Sequence, residues 1–271
     1  MKRVTKFVLI VPDELHRELH ERYRDNIPKE FSQYKNYRWG ALELPLEPDS
    51  QELKELCFFA HANGFHPKLF SSVYYTKKEL EHIPYFQMIL DSPLELEGTC
   101  AYDYGTKYVD ACPVCKVGGK RVGDVLVDRK FLKKKKIGYL QPDLFVSENV
   151  RQIIEDHGLT GVSFDGEVKD YRGRDMEKFY TMNIHHILPP MSKTTWFIES
   201  GVASKCEHHT IFLASDMQYE CEKLNGALDF NLSTEYVNND KERQIVVSAR
   251  VRRIFKEYKI GFSHFIPITI I

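Results

Sequence analysis

No stretch of this chain approaches the roughly 20 apolar residues that a membrane-crossing helix needs. The first apolar run, Phe7 to Val11, stops at Pro12 and is too short for the core of a secretory leader. Neither sign of charge is in excess. Thirty-eight basic residues face thirty-nine acidic ones, so a nucleic acid or an anionic membrane would have to be met by a local patch and not by the whole molecule. Also absent are a phosphate-cradling glycine loop, a nucleophile elbow and a His-Glu-x-x-His pair, and the carboxylates are scattered. An enzyme built on this sequence would have to assemble its site from distant residues. Cysteine is sparse at six in 271 and lacks the dense spacing of a disulfide scaffold, so reduced thiols and a cytoplasmic location are the default expectation.

What the chain does contain is enough apolar sequence, 42%, for a real core. The expected fold class is α+β. Phe7 to Val11 reads as a strand, and Pro12 to Arg24 as a helix with Leu15, Leu19 and Tyr23 on one face. Pro45 confines its segment to a loop or an edge strand. A second helix begins at a Ser50 cap, carries Leu53, Leu56, Cys57 and Ala60 as its stripe, and stops at Gly64; Cys57 is a core residue on this reading. Strands at 71–75 and 85–90 flank a Thr76/Glu79 capping box, and residues 1–98 are read as an N-terminal α+β domain.

Beyond Gly98-Thr99 the chain carries its most specific local chemistry, Cys112-Pro113-Val114-Cys115. Two thiolates two residues apart form a chelating knuckle for Zn²⁺, and Cys100 offers a third sulfur. A redox pair is disfavoured, because glycines and a strand follow Cys115 where a thioredoxin-like motif has a helix. The chain also repeats itself. Val146, Ser147, Val150, Arg151, Ile153 and Phe164 meet identical residues 101 positions on, at Val247, Ser248, Val251, Arg252, Ile254 and Phe265. Cys100 and Cys115 meet Cys206 and Cys221 at an offset of 106, with Gln218 opposite Cys112. This gives a first repeat unit at 99–168, a connector at 169–200 and a second, degenerate unit at 201–271. Each unit is expected to hold a cysteine knuckle, strands and one helix.

The fourth ligand of the first site is not evident; His185, His186, His208, His209 or a residue of the second unit could supply it, or the knuckle is a remnant without metal. Cys206, Cys221, His208 and His209 form a second donor set, against which stands a decayed site whose cysteines pack in the core. His185-His186 would point to opposite faces of a strand and reads as two ordinary hydrogen-bonded histidines. The basic clusters Lys133–Lys136 and Arg250–Arg253 invite a zinc-ribbon nucleic-acid reading, which the near-neutral charge disfavours. The recurrent Arg151 and Arg252 are more simply explained by a shared ion pair or a carbonyl cap.

The imperfect duplicated knuckle, each copy followed by a Val-Ser-x-x-Val-Arg helix, resembles the double-CXXCG paralogous family of myxobacteria, as does the entry segment Ser92 to Gly98. The resemblance covers about two-thirds of the chain; it departs at Lys116 and Glu222, where the family has glycine. It implies a non-enzymatic bacterial protein, an immunity protein that binds and occludes a cognate toxin of a polymorphic-toxin system. The partner surface would draw on exposed aromatics, for which Tyr34–Trp39 and Tyr102–Tyr108 are candidates.

Overall fold

The computed structural model describes residues 2–10, 13–23, 41–47, 50–65, 67–90, 104–110, 119–132, 136–140, 143–195, 197–199, 211–213, 216–237, 242–261 and 263–271. The fold is mixed α+β with several sheets. It divides into two compact units, Met1–His82 with Ala214–Asp216, and Ile83–Leu213 with Met217–Ile271.

In the first unit, β1 (Lys2–Ile10) is followed by α1 (Asp13–Tyr23), β2 (Ala41–Leu46), α2 (Gln51–Ala62) and β3 (Lys68–Tyr74). The strands form an antiparallel sheet in the order β2-β1-β3. Pro45 accordingly lies on an edge strand, where its missing N–H removes no ladder bond. Alternation along β1 and β2 puts Phe7, Leu9, Leu44 and Leu46 in one core with Leu19 and Tyr23 of α1 and Leu53, Leu56 and Ala60 of α2. Each such large side chain contributes about 1.5–3 kcal/mol by burial. The Ser50 hydroxyl caps α2 by accepting the Leu53 amide at 3.2 Å, and Gly64 follows it at φ +73°. Cys57 packs against this core, where burial pushes its thiol above the usual range. The Thr76/Glu79 box forms in both directions: Glu79 accepts the Thr76 amide at 2.8 Å, and the Thr76 hydroxyl accepts the Glu79 amide at 3.3 Å.

The second unit begins with β4 (Tyr85–Leu90), β5 (Lys107–Val109), β6 (Lys120–Val122), β7 (Val125–Val127), β8 (Ile137–Leu140), β9 (Asp143–Ser147), α3 (Glu148–Asp156) and β10 (Val162–Asp170). It continues with β11 (Phe179–Ile184), β12 (Phe197–Glu199), β13 (Ile211–Leu213), β14 (Gln218–Tyr219), β15 (Phe230–Val237), β16 (Glu242–Ser248), α4 (Ala249–Glu257), β17 (Ser263–Pro267) and β18 (Thr269–Ile270). Ser147 and Ser248 each open a nine-residue helix, accepting the amides of Val150 and Val251.

Two sheets carry these helices. One has the order β7-β10-β11-β9-β8, the other β15-β16-β4-β17. Their ladders correspond residue for residue. Val146 and Phe164 pair with Tyr180 and Met182 of β11, while their counterparts Val247 and Phe265 pair with Phe86 and Met88 of β4. A short parallel pair repeats the match, at the edge of the first sheet and beside the second: Val168 with Val125, and Thr269 with Gln218. The strand central to each sheet thus comes from the other half of the chain. β4 precedes α3 in sequence yet is hydrogen-bonded to β16 and β17 of the α4 sheet; β11 follows α3, in the stretch read as a connector, and completes the α3 sheet. The sequence reading had set Tyr85–Leu90 with the N-terminal domain.

The two halves meet at their helix ends. The rings of His157 and Tyr258, counterparts at the C-caps of α3 and α4, contact edge to face at 5.3 Å. A residue touching its own counterpart is the contact pattern of a two-fold relation. Around it, Lys136 donates to the Tyr258 carbonyl at 3.1 Å, and Arg250 donates to the His157 carbonyl, so each helix C-terminus is capped by a cation from the opposite half. Asp229 accepts the Thr160 amide at 3.0 Å and the Ser248 hydroxyl at 2.6 Å. Gly161 makes this approach feasible: at φ +92°, a Cβ there would lie 2.1 Å from the Phe230 carbonyl oxygen.

Candidate functional site

Tyr108 and Arg121 face each other across the β5–β6 hairpin, and between its last pair, Val109 with Lys120, the sequence runs through Cys112 and Cys115. Asp110, directly after β5, has φ +58°, a left-handed conformation aspartate tolerates better than most residues. The hairpin is tied down by charge. Arg121 reaches Asp143 of β9 at 3.0 Å and Asp165 of β10 at 2.7 Å, and the Tyr108 hydroxyl donates to the other oxygen of Asp143. Asp165 in turn accepts the Thr181 hydroxyl at 2.7 Å, which brings in β11. Burial pushes the Asp143 carboxyl above its usual range against the pull of Tyr108 and Arg121. Burial acts on Asp165 too, but hydrogen bonds from Thr181, Asn183 and Arg121 outweigh it and hold that carboxyl low. With its two oxygens on Tyr108 and Arg121, Asp143 is a joint and not a free base.

A second charged joint sits where β7 and β10 end side by side. Asp170, with a fully buried side chain, accepts the amides of Arg129, Arg172 and Arg174 and a two-armed guanidinium contact from Arg174, both arms at 2.7 Å. Arg174 and these amides hold Asp170 far below the ordinary carboxylate range. Arg174 also reaches Asp128, which the Lys130 amide in particular keeps low.

The recurrent arginines make the same contact in both sheets. The Arg151 guanidinium lies 4.6 Å from the centroid of Tyr180, and Arg252 lies 4.8 Å from that of Phe86, its register counterpart. The shared feature is therefore a cation on an aromatic face. Arg151 adds an ion pair to Glu155 at 2.9 Å, and the corresponding position on α4 is Lys256.

The histidine pair behaves as two hydrogen-bonded residues: His185 Nε2 lies 2.6 Å from the Ser163 hydroxyl, and His186 Nδ1 lies 2.8 Å from Asn231 Oδ1. Cys100, Cys112, Cys115, Cys206, His208 and His209 fall outside the described residues, as do Lys133 to Lys135 and Tyr34 to Trp39. Cys221 is described; it is exposed, opens a 3₁₀ turn, and its amide donates to the Ile271 carbonyl at 3.0 Å. Gln218 is in β14, paired with Thr269 as Val125 is with Val168, so the ladders make it the counterpart of Val125. Among the described residues no group of three or more His, Cys, Asp and Glu is placed to hold a metal ion. Also among them, no helix is long and apolar enough to cross a membrane.

The joints Arg121–Asp143–Asp165 and Asp170–Arg174 escaped the sequence reading. One signal was present, since acidic residues in strands that otherwise alternate toward a core demand partners. The partner's identity depended on the ladders. In comparisons with known proteins, no family model and no curated protein matches the chain.

Proposed function

We propose that the chain is a non-enzymatic binding protein, an immunity protein that neutralises a cognate bacterial toxin in the cytoplasm by occluding it. The observation that carries this reading is where the perturbed carboxylates stand. Asp128, Asp143, Asp165 and Asp170 all fasten one element to another, and the Arg121 joint fastens the β5–β6 hairpin, between whose strands the sequence runs through Cys112 and Cys115. A hairpin so anchored is a support for a presented loop.

In this proposal residues 83–271 hold two copies of one unit, each with a knuckle. Cys112 and Cys115 lie in the sequence between Val109 and Lys120, and with Cys100 they would hold Zn²⁺, stiffening that stretch without taking part in chemistry. In the second copy the matching strand pair is β12–β13, and the sequence between those strands includes Cys206 and His209 with the same two-residue gap. That pair replaces Cys221 as the second donor set. A nucleic-acid role is less well supported, because Lys136 and Arg250, members of the two basic clusters, are engaged with backbone carbonyls.

Co-expression with a toxin encoded by a neighbouring gene tests the reading: growth rescue with a co-purifying complex is expected. No rescue and no complex removes it, and rescue without a complex revives an enzyme. Elemental analysis of protein purified without chelator decides the metal separately. Zinc lost on Cys112→Ser with Cys115→Ser is the expected outcome.

A further inference from the structure

We propose that the outward faces of α3 and α4 form one self-complementary surface on which a second copy of this chain docks. The two helices are counterparts with the same buried side: Val150 matches Val251 and Ile153 matches Ile254, all buried. Their exposed sides have diverged in charge. Gln152, Glu155 and Gly158 of the α3 segment stand where the α4 segment has Arg253, Lys256 and Lys259, and all six are exposed. α3 also exposes Glu148, where α4 has Ala249, whereas Asp156 and its counterpart Glu257 are both acidic and exposed. Because the cores agree, packing within the fold does not account for the difference.

The two helices are joined at their C-terminal ends by the His157–Tyr258 contact, which places acidic and basic faces on either side of one seam. At that seam Tyr258 is 40% exposed, although its partner ring offers it a packing surface. An exposed tyrosine is a common interface anchor, and the charges around this one, with Arg250 on the His157 carbonyl and Lys136 on its own, set orientation. A surface positive on one side of such a seam and negative on the other is its own complement. A second copy turned by 180° sets Arg253 and Lys256 against Glu155 and Asp156 twice over, an isologous contact. Nucleic acid fits it poorly, because the α3 carboxylates beside the seam would repel phosphate. Glu155 already pairs with Arg151, and at 43% side-chain exposure it retains room to accept a second cation.

Such a dimer rests on exposed charges and is therefore sensitive to salt, since the screening length falls from about 10 Å at 0.1 M to about 3 Å at 1 M. The test is sedimentation velocity on the full chain at low and high ionic strength, over a range of protein concentrations. At low salt the mass is expected to rise with concentration from 31.8 kDa toward twice that value, and to return to it at high salt. Arg253→Glu with Lys256→Glu should keep the protein monomeric, and adding Glu155→Lys with Asp156→Lys should restore the dimer. Gln152→Lys, a milder change on the opposite face, should weaken it, and circular dichroism confirms that each variant is folded. A monomer at every concentration in low salt overturns the proposal. So does a dimer indifferent to charge reversal, a charge swap that fails to rescue, or a mass increase that nuclease treatment abolishes.

Discussion

At the scale of single residues, the hydroxyls of Ser147 and Ser248 do the same work at two places. Each satisfies one of the amides that a helix start leaves unpaired, at 3.4 Å in both copies. Ser147→Ala should cost about 1 kcal/mol in denaturant melts, and Ser248→Ala more, because it also removes the hydrogen bond that its hydroxyl donates to Asp229. Asp170 has a pH signature. Its carboxyl is held far below the value of about 3.9 that it regains on unfolding, so the folded state binds the proton less readily. The stability it confers is fully present above that unfolded value and is lost as pH falls through the lower folded one. Asp143, raised by burial, runs the other way: its contribution falls as pH rises through its folded value. Thermal melts from pH 6 down to about pH 2 should therefore show Asp170→Asn losing part of the acid-induced decline, and Asp143→Asn steepening it. A common slope for both variants would contradict this assignment.

At the scale of elements, the cation–aromatic contacts of Arg151 and Arg252 link each helix to the strand supplied by the other half. Arg151→Ala and Arg252→Ala should each cost about 0.5–1 kcal/mol, and the double variant should show the sum, because the contacts lie on separate sheets. Arg121 is the corresponding fastening for the β5–β6 hairpin. Arg121→Ala leaves Asp143 buried beside Tyr108 alone, so amide exchange in residues 107–109 and 120–122 should accelerate well beyond any change in α3. The local elements were readable in the sequence. Caps at Ser50, Ser147 and Ser248, the Thr76/Glu79 box, stops at Gly64 and Gly158 and the 3.6-residue stripes are all signals written within one turn of the residue they control. The sequence following the glycines after Cys115, expected as one strand, forms two, β6 and β7, separated by Gly123 at φ +87°. Strand partners carry no such local mark. The 101-residue offset holds along β9, α3 and β10, whereas the cysteine offset of 106 is not the register that the ladders follow, and this is why Gln218 proves to be strand β14.

At the scale of the molecule, the junction between the halves depends on Gly161 as much as on any charge. Gly161→Ala combines a left-handed backbone with a collision against the Phe230 carbonyl, and a loss of about 3 kcal/mol or more is expected. Gly226→Ala, also at positive φ but with open space, is the control and should cost about 1 kcal/mol. Near-equal melting of the two would mean that the junction yields.

The exchange of β4 and β11 also fixes the order in which the protein can be made. As the chain leaves the ribosome, α3 and its flanking strands are present by residue 170, but the strand between them is not synthesised until residues 179–184. β4 waits far longer, since both of its neighbours lie beyond residue 242. Neither sheet can close early, and the last ladder joins residues 173 to 181 positions apart, a separation that slows folding and leaves β4 without its neighbours during synthesis. Stalled chains ending before residue 242 should therefore keep β4 sensitive to protease however complete the first 82 residues are, and release of the C-terminal segment should protect it in one step.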